Sequence, residues 1–337
     1  MAEPRAQTTS GARAGEIEFR HVSKRYPGRR QVAVNDLSLA IPAGEICVLV
    51  GPSGAGKTTA MKMVNRLIDV TEGEILIDGR DVTRMNETEL RRGIGYVIQN
   101  VGLFPHMNVA ANVATVPRLL GWDRARVRTR VNELLELVGL DPDEDGHRYP
   151  GQLSGGQRQR VGLARALAAD PPVMLMDEPF GALDPITRDR LQNEFLRLHR
   201  QLRKTVIFVT HDIDEAIKMG DKIAILREGG VLAQYASPAE ILARPADDFV
   251  AQFVGADRAL KRLSLSYVRD VELLDSAPDA ADSPVLTPDT TLRDALSQML
   301  AEDGRPLPVE DGGSLQGYVS MELVTRALSG AGEAAAT

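Results

Sequence analysis

The run Gly51-Pro52-Ser53-Gly54-Ala55-Gly56-Lys57-Thr58-Thr59 carries the residue types and spacing that phosphate chemistry asks for. With Gly51, Gly56, Lys57 and Thr58 in the P-loop pattern, a glycine-rich turn lets successive backbone N–H groups close around a nucleotide's phosphates, an approach that side chains would block. Lys57 then reaches the outer phosphates as a point charge. Thr58 offers a hydroxyl to Mg²⁺, and the helix N-terminus adds its partial positive charge. A glycine- and serine-rich strand-to-helix turn that binds nothing is the competing reading. The flanks weigh against it, because the apolar run Ile46 to Val50 precedes the loop and a helix-like segment reaching about Ile68 follows it.

Further clusters offer matching chemistry. Val173 to Met176 is a continuous apolar run ending in Asp177-Glu178-Pro179, the pattern of a buried parallel strand that delivers carboxylates to its C-terminal end, where open α/β sheets bind ligands. Asp177 could hold Mg²⁺ through water while Glu178, on the other side, positions and deprotonates the attacking water. Val206 to Val209 repeats the pattern and ends in Thr210-His211-Asp212, which puts an imidazole on the same rim, in reach of a γ-phosphate. The other four histidines read as structural or surface groups. Leu153-Ser154-Gly155-Gly156-Gln157 opens a helical segment. It is either a plain serine cap or a second phosphate-binding helix start built from Ser154 and the amides of Gly155 and Gly156. Tyr26, on a Tyr-Pro-Gly turn, either stacks on a purine or packs as a strand residue.

These residues need elements to hold them. Ile17-Phe19-Val22 and Val32-Val34-Leu37-Leu39-Ile41 alternate as antiparallel strands. Glu74 to Asp78 and Ile94 to Gln99 read as strands, the second ending in the polar pair Gln99-Asn100. From about Val109 to Ala169 the period is helical, with Val127, Val131, Leu134, Leu135 and Val138 on one face. Arg124, Arg126, Arg128 and Arg130 flank it as a solvated surface. After the loop Gly181 to Asp184, a helix carries the core stripe Leu191, Phe195, Leu198 and Leu202. Residues 222–236 read as a hairpin turning at Gly229-Gly230, followed by two short helices from about Pro238 to Val254. The fold class is α/β: a P-loop ATPase with an antiparallel β-subdomain, an inserted helical subdomain (about 106–170) and a small α/β tail.

Composition sets the bounds. A chain of 337 residues, 43% apolar, implies two or three domains. The single cysteine, Cys47, excludes a disulfide framework and fits a reducing cytoplasm. The first fourteen residues lack an apolar h-region and read with Gly15 as a disordered tail. No apolar run of about eighteen residues occurs, so no membrane span is expected. The net charge of −7 is uneven: residues 268–337 hold 13 Asp/Glu against 4 Lys/Arg, and the rest 34 against 36. A near-neutral body without a basic block argues against nucleic acid.

Taken in order, the P-loop, a glutamine after a strand, Leu-Ser-Gly-Gly-Gln, Asp-Glu and a histidine resemble the nucleotide-binding subunit of an ABC transporter, over roughly residues 16–257. The resemblance implies ATP and Mg²⁺ as ligands. It implies that Tyr26 stacks on adenine, Gly51 to Thr59 is Walker A, Gln99 is the Q-loop residue at the metal and the attacking water, and Ser154 to Gln157 belongs to the signature. Asp177 and Glu178 complete Walker B, Asp184 lies in the D-loop and His211 is the switch histidine. It also implies a head-to-tail homodimer, so that each signature faces the γ-phosphate held by the partner's Walker A. Tyr96-Val-Ile-Gln-Asn-Val-Gly-Leu-Phe-Pro-His-Met107 and the runs Leu175 to Arg188 and Val209 to Leu226 narrow the likeness to ATPase subunits of osmoprotectant importers, which take up glycine betaine, choline or carnitine. Integral-membrane permease subunits, met at Phe104 to Met107, and an extracytoplasmic binding protein are then the partners, with this chain peripheral on the cytoplasmic face of the membrane. An importer of another small solute such as an amino acid, or a soluble ABC ATPase acting on ribosomes or DNA, are the alternatives. Residues 258–337 resemble one cystathionine-β-synthase-type (CBS) repeat, with Tyr267 to Pro284 as a remnant of a second, and imply a regulatory tail or a small dimerisation domain.

Overall fold

The computed structural model describes residues 14–28, 31–99, 101–276 and 283–330. Residues 1–13, the Asn100 of the Gln99-Asn100 pair and residues 277–282 of the expected repeat remnant lie outside them.

The alternating segments form a four-stranded antiparallel sheet in the order Val34–Ile41, Ile17–Lys24, Glu72–Ile77, Arg80–Asp81. Its inward residues Ile17, Phe19, Val22, Leu37, Ile41 and Ile75 are buried, as period-2 patterning requires. The continuous apolar runs form a second sheet of six strands, ordered Val231–Ala236, Lys222–Arg227, Ile46–Val50, Thr205–Val209, Val173–Asp177, Ile94–Val97. From Lys222–Arg227 to Ile94–Val97 all neighbours pair in parallel, and strands 46–50, 173–177 and 205–209 are buried at every position. Parallel strands covered on both faces have no solvent side to mark with polar residues. The hairpin's three-residue connection, Glu228 to Gly230, has Gly229 and Gly230 at positive φ (81° and 68°), a conformation glycine adopts without Cβ strain.

The helical stretch expected over 109–169 is interrupted. Helices run over Val109–Val113, Thr115–Leu119, Arg124–Leu137 and Gly155–Leu167. Gly121 and Gly139 follow the second and third at positive φ, where glycine ends a helix without Cβ strain. The stripe Val127, Val131, Leu134, Leu135, Val138 is buried throughout. Pro185–Leu202 buries Leu191, Phe195 and Leu198, and Leu202 is half-buried.

The chain divides into two compact units, Met1–Tyr235 and Ala236–Thr337. Residues 236–257, grouped with the ATPase domain on sequence, fall in the second unit, where helix Pro238–Ala243 packs on helix Arg258–Leu263. Lys261 Nζ, buried, donates to the Val254 carbonyl at 2.8 Å and ties helix Arg258–Leu263 to the end of helix Asp248–Val254. Beyond them come helix Leu292–Ala301, a hairpin of Leu307–Asp311 and Ser314–Val319, and helix Met321–Gly330 around a core of Leu263, Val268, Leu292, Met299, Val309 and Val319. Residues 267–276 supply a short turn of 3₁₀ helix, Val268–Asp270, and a bridge from Leu274 to Tyr318. Among the described residues no strand lies between 267 and 284.

Candidate functional site

Parallel pairing aligns the strand ends: Leu49 stands beside Val209, and Val209 beside Asp177. The residues that follow, Gly51, Glu178 and Thr210-His211, therefore emerge on one rim. Glu178 N donates to Val209 O at 2.9 Å and Thr210 N to Leu49 O at 3.2 Å, which extends the ladder into the site.

The loop 51–56 depends on its glycines. A Cβ on Gly51 would lie 2.2 Å from Leu226 O, and one on Gly56, at φ +80°, 2.1 Å from Ala33 O. Lys57, buried, folds back into the loop, donating to Gly51 O (2.7 Å) and Pro52 O (2.9 Å). Burial lowers the pKa of its ammonium, and the charges of Glu178 and Asp177 oppose that shift. Both carbonyls are ligands that a phosphate can replace with stronger charge-assisted bonds.

Thr58 Oγ1 donates to Asp177 Oδ1 at 2.9 Å. Burial pushes the Asp177 carboxyl up, the Glu178 charge adds to this, and the Thr58 hydrogen bond and the charges of Lys62 and Lys57 work against it. Glu178 sits at φ +43°, an uncommon conformation for a non-glycine residue, and its carboxylate is held from both sides. Gln99 Nε2 donates to Oε2 at 3.0 Å, and His211 Nδ1 lies 3.2 Å from Oε1.

Tyr26, Ser53, Gly54, Ala55, Gly56, Lys57, Thr58, Thr59, Glu178 and His211 line one open cleft of about 410 Å³. Lys24 Nζ lies 5.3 Å from the Tyr26 ring centroid. Gln31, Val32 and Ala33 complete the lining. Sequence reading passed over them, taking Val32 for a strand residue, whereas the strand begins at Val34. The Tyr26-Pro27-Gly28 turn, which returns this segment toward the P-loop, is the signal that could have found them.

The remaining expected residues do not line this cleft. Ser154 caps helix Gly155–Leu167 in a reciprocal box with Gln157: Gln157 N donates to Ser154 Oγ at 3.2 Å and Ser154 N to Gln157 Oε1 at 3.0 Å. Gly155 and Gly156 form the first turn. Asp184 caps helix Pro185–Leu202, accepting from Thr187 N at 3.0 Å, and the Thr187 backbone and side chain lower its pKa. It is exposed, beside Ile186 at 84% exposure. At Phe104 to Met107, buried Asn112 clamps the loop, accepting from Phe104 N (2.7 Å) and donating to Phe104 O (3.1 Å) and Met107 O (3.0 Å).

The donors fit Mg²⁺. A hydroxyl and a carboxylate face each other beside a phosphate cradle, and Mg²⁺ takes hard oxygens, one or two protein groups with phosphate and water. No group of three or more metal-ligating side chains occurs among the described residues.

Comparison with known proteins agrees with this geometry. The ABC transporter family model matches residues 34–181. The osmoprotectant import ATP-binding protein OsmV of Salmonella typhimurium is 51% identical over 301 residues, covering 88% of this chain and 76% of that protein. The choline transport ATP-binding protein OpuBA of Bacillus subtilis is 48% identical over 309 residues, 91% of this chain and 79% of that one. The glycine betaine uptake system ATP-binding protein YehX of Escherichia coli is 50% identical, covering 87% of this chain and 93% of that protein. Among solved structures, the dimeric ATP-binding cassette MJ0796 in a post-hydrolysis state bound to ADP and Pi matches with a TM-score of 0.59 and 34% identity, over 66% of this chain and 98% of that one. Identity near one half across most of both chains, on this fold, places the chain among the ATP-binding subunits of ABC transporters, ATPases that use ATP with Mg²⁺.

Proposed function

We propose that this chain powers an importer of quaternary ammonium osmoprotectants, the class that holds glycine betaine, choline and carnitine. The observation that carries the proposal is the likeness, over most of the chain, to several ATP-binding proteins named for those solutes. No helix among the described residues is long and apolar enough to cross a membrane, and in this reading solute passes through separate permease subunits. The Asn112-clamped loop at Phe104, 40% exposed, is where a permease would press, on the cytoplasmic face of the membrane. An extracytoplasmic binding protein would deliver the solute.

In this reading Tyr26 stacks on adenine, and residues 51–59 hold the phosphates with Lys57 on the outer ones. Mg²⁺, held by Thr58 and Asp177 with Gln99 nearby, would neutralise phosphate charge. Glu178 accepts a proton from water as the oxygen attacks the γ-phosphorus and the bond to the β–γ bridging oxygen breaks, giving ADP and phosphate. His211 and Gln99, already on the Glu178 carboxylate, orient it and the water. Ser154 to Gln157 and Asp184 serve the partner's nucleotide across a homodimer, which is why they stand outside their own chain's cleft.

The test is ATPase activity of the complex isolated from native membranes on this chain, supplied with its binding protein and offered betaine, choline, carnitine, proline and histidine in turn. Stimulation by a quaternary ammonium compound is the expected result. Stimulation by an amino acid alone would discard the osmoprotectant, and absence of a polytopic partner would discard the importer.

We read residues 258–337 as a CBS-like regulatory tail, on the strength of the helix–hairpin–helix order and its acidic balance. An unchanged salt dependence of transport after its removal, with no nucleotide bound by the tail, would reject this.

A further inference from the structure

Glu215 is a buried carboxyl for which the hydrolytic scheme has no use. It lies in helix Ile213–Met219, is 9% exposed, and touches neither the cleft nor the P-loop. Its Oε1 accepts from Gln192 Nε2 at 2.9 Å. The Thr210 side chain acts on the same carboxyl and lowers its pKa, and Thr210 Oγ1 accepts from Asp212 N at 3.1 Å. Thr210 and Asp212 are the two neighbours of His211, and Thr210 is 2% exposed. Glu215 N donates to Asp212 Oδ1 at 3.3 Å, so this residue is tied directly to one neighbour of the imidazole that meets Glu178 and, through Asp212, to the other.

The other end of the network reaches the Asp184 loop. Gln192 is in helix Pro185–Leu202, which Asp184 caps. One turn before Gln192, Arg188 donates from Nη2 to Leu183 O at 3.1 Å, inside the loop 181–184. Arg188 Nε is buried and has no hydrogen-bond partner, and its charge acts on Glu215. A buried guanidinium N–H without an acceptor is costly, and the Arg188 charge is close enough to the Glu215 carboxyl to lower its pKa. Burial pushes the Glu215 carboxyl up, the Thr210 and Gln192 hydrogen bonds lower it, and Asp212 and Arg188 act in opposite directions.

We propose that Glu215 is a positioning residue of the ATPase: through Thr210 it sets His211, and through Gln192 and Arg188 it ties that setting to the loop carrying Asp184. Since Asp184 stands at the proposed dimer interface, the network tells the His211 side of one site whether the partner protomer is in place. The inference rests on the roles proposed above for His211 and Asp184.

The test is a double-mutant cycle on the complex isolated from membranes. Glu215→Gln keeps the shape and removes the charge, and the expected result is a fall in kcat of roughly 10-fold or more, the scale of a small misplacement at a reacting centre, with KM for ATP unchanged. In a His211→Ala background the same substitution should have no further effect, because residues that act as a unit are non-additive. Thr210→Val, which removes only the hydroxyl, should reproduce the kcat loss, and it carries the cycle if Glu215→Gln does not fold. An unchanged kcat, a loss equal in both backgrounds, or a loss that follows thermal stability alone would overturn the proposal. If His211→Ala alone leaves hydrolysis at the wild-type rate, the role of His211 itself is wrong, a failure distinct from additivity in the cycle.

Discussion

At the scale of single residues, the site is a set of groups held by one another. Lys57 is capped by its own loop, Thr58 by Asp177, and Glu178 by Gln99 and His211. Glu178→Gln should lower hydrolysis roughly 10²-fold or more while ATP binding persists, as phosphate release and nucleotide titration would record. Asp177 makes a prediction of opposite sign for stability. Its folded-state pKa is raised, so the nucleotide-free protein loses stability as pH rises through the folded value, and at neutral pH the buried carboxylate is a cost. Asp177→Asn should therefore melt higher than wild type without nucleotide and gain less from ATP with Mg²⁺. A variant that melts lower without nucleotide would refute that sign. The P-loop, acid and histidine residues were legible because their chemistry demands side chains at fixed spacing. Ala33 was not, since its contribution is a carbonyl packed against Gly56.

At the scale of elements, the loop 51–56 and the helix Pro185–Leu202 carry opposite kinds of constraint. Gly56→Ala meets a backbone oxygen and an unfavourable φ, and should cost about 1–3 kcal/mol along with nucleotide affinity, read by urea unfolding and nucleotide titration. The last turn of the helix holds His199, whose Nε2 lies 2.7 Å from Lys204 O. A cation at a helix C-terminus is ordinarily favoured, yet burial wins and lowers the His199 pKa below 6.5, with Arg203 adding and the Lys204 carbonyl and Asp221 opposing. A depressed histidine favours the neutral form, so its share of stability is present above the ordinary value and lost as pH falls through it. Thermal unfolding followed from about pH 7 to pH 5 should fall more steeply for wild type than for His199→Gln. Equal slopes would exclude His199 as the cause. The core stripe of this helix was readable from its 3.6-residue period, whereas the breaks within 109–169 depend on glycines whose positive φ a period does not register.

At the scale of the molecule, Ser154 to Gln157 and Asp184 are well formed but stand outside their own chain's cleft. Two chains apposed head to tail would complete both sites, with ATP between them. The Glu178→Gln variant should therefore elute as a dimer with ATP and Mg²⁺ and as a monomer without them, whereas wild type should return to monomer as ATP is consumed. A variant that stays monomeric at saturating ATP would remove the shared-site arrangement. The second unit follows a different logic: it has its own core, and its first helices were joined to the ATPase domain on sequence because nothing local marks the boundary at Ala236.

The amino-acid sequence by itself determined which residues the proposed chemistry would use, a phosphate loop, two acids and a histidine, since glycine spacing and acids at the ends of apolar runs admit few other uses. It also determined the two kinds of strand, because burial on one face or on both writes a distinct pattern. Only the tertiary structure decided that Gln99 and His211 share one carboxylate, that Lys57 rests on its own loop, and that Glu215 accepts from Gln192. Those contacts bring together residues up to 79 positions apart, and a hydrogen bond between distant side chains leaves no local period, spacing or composition by which to read it.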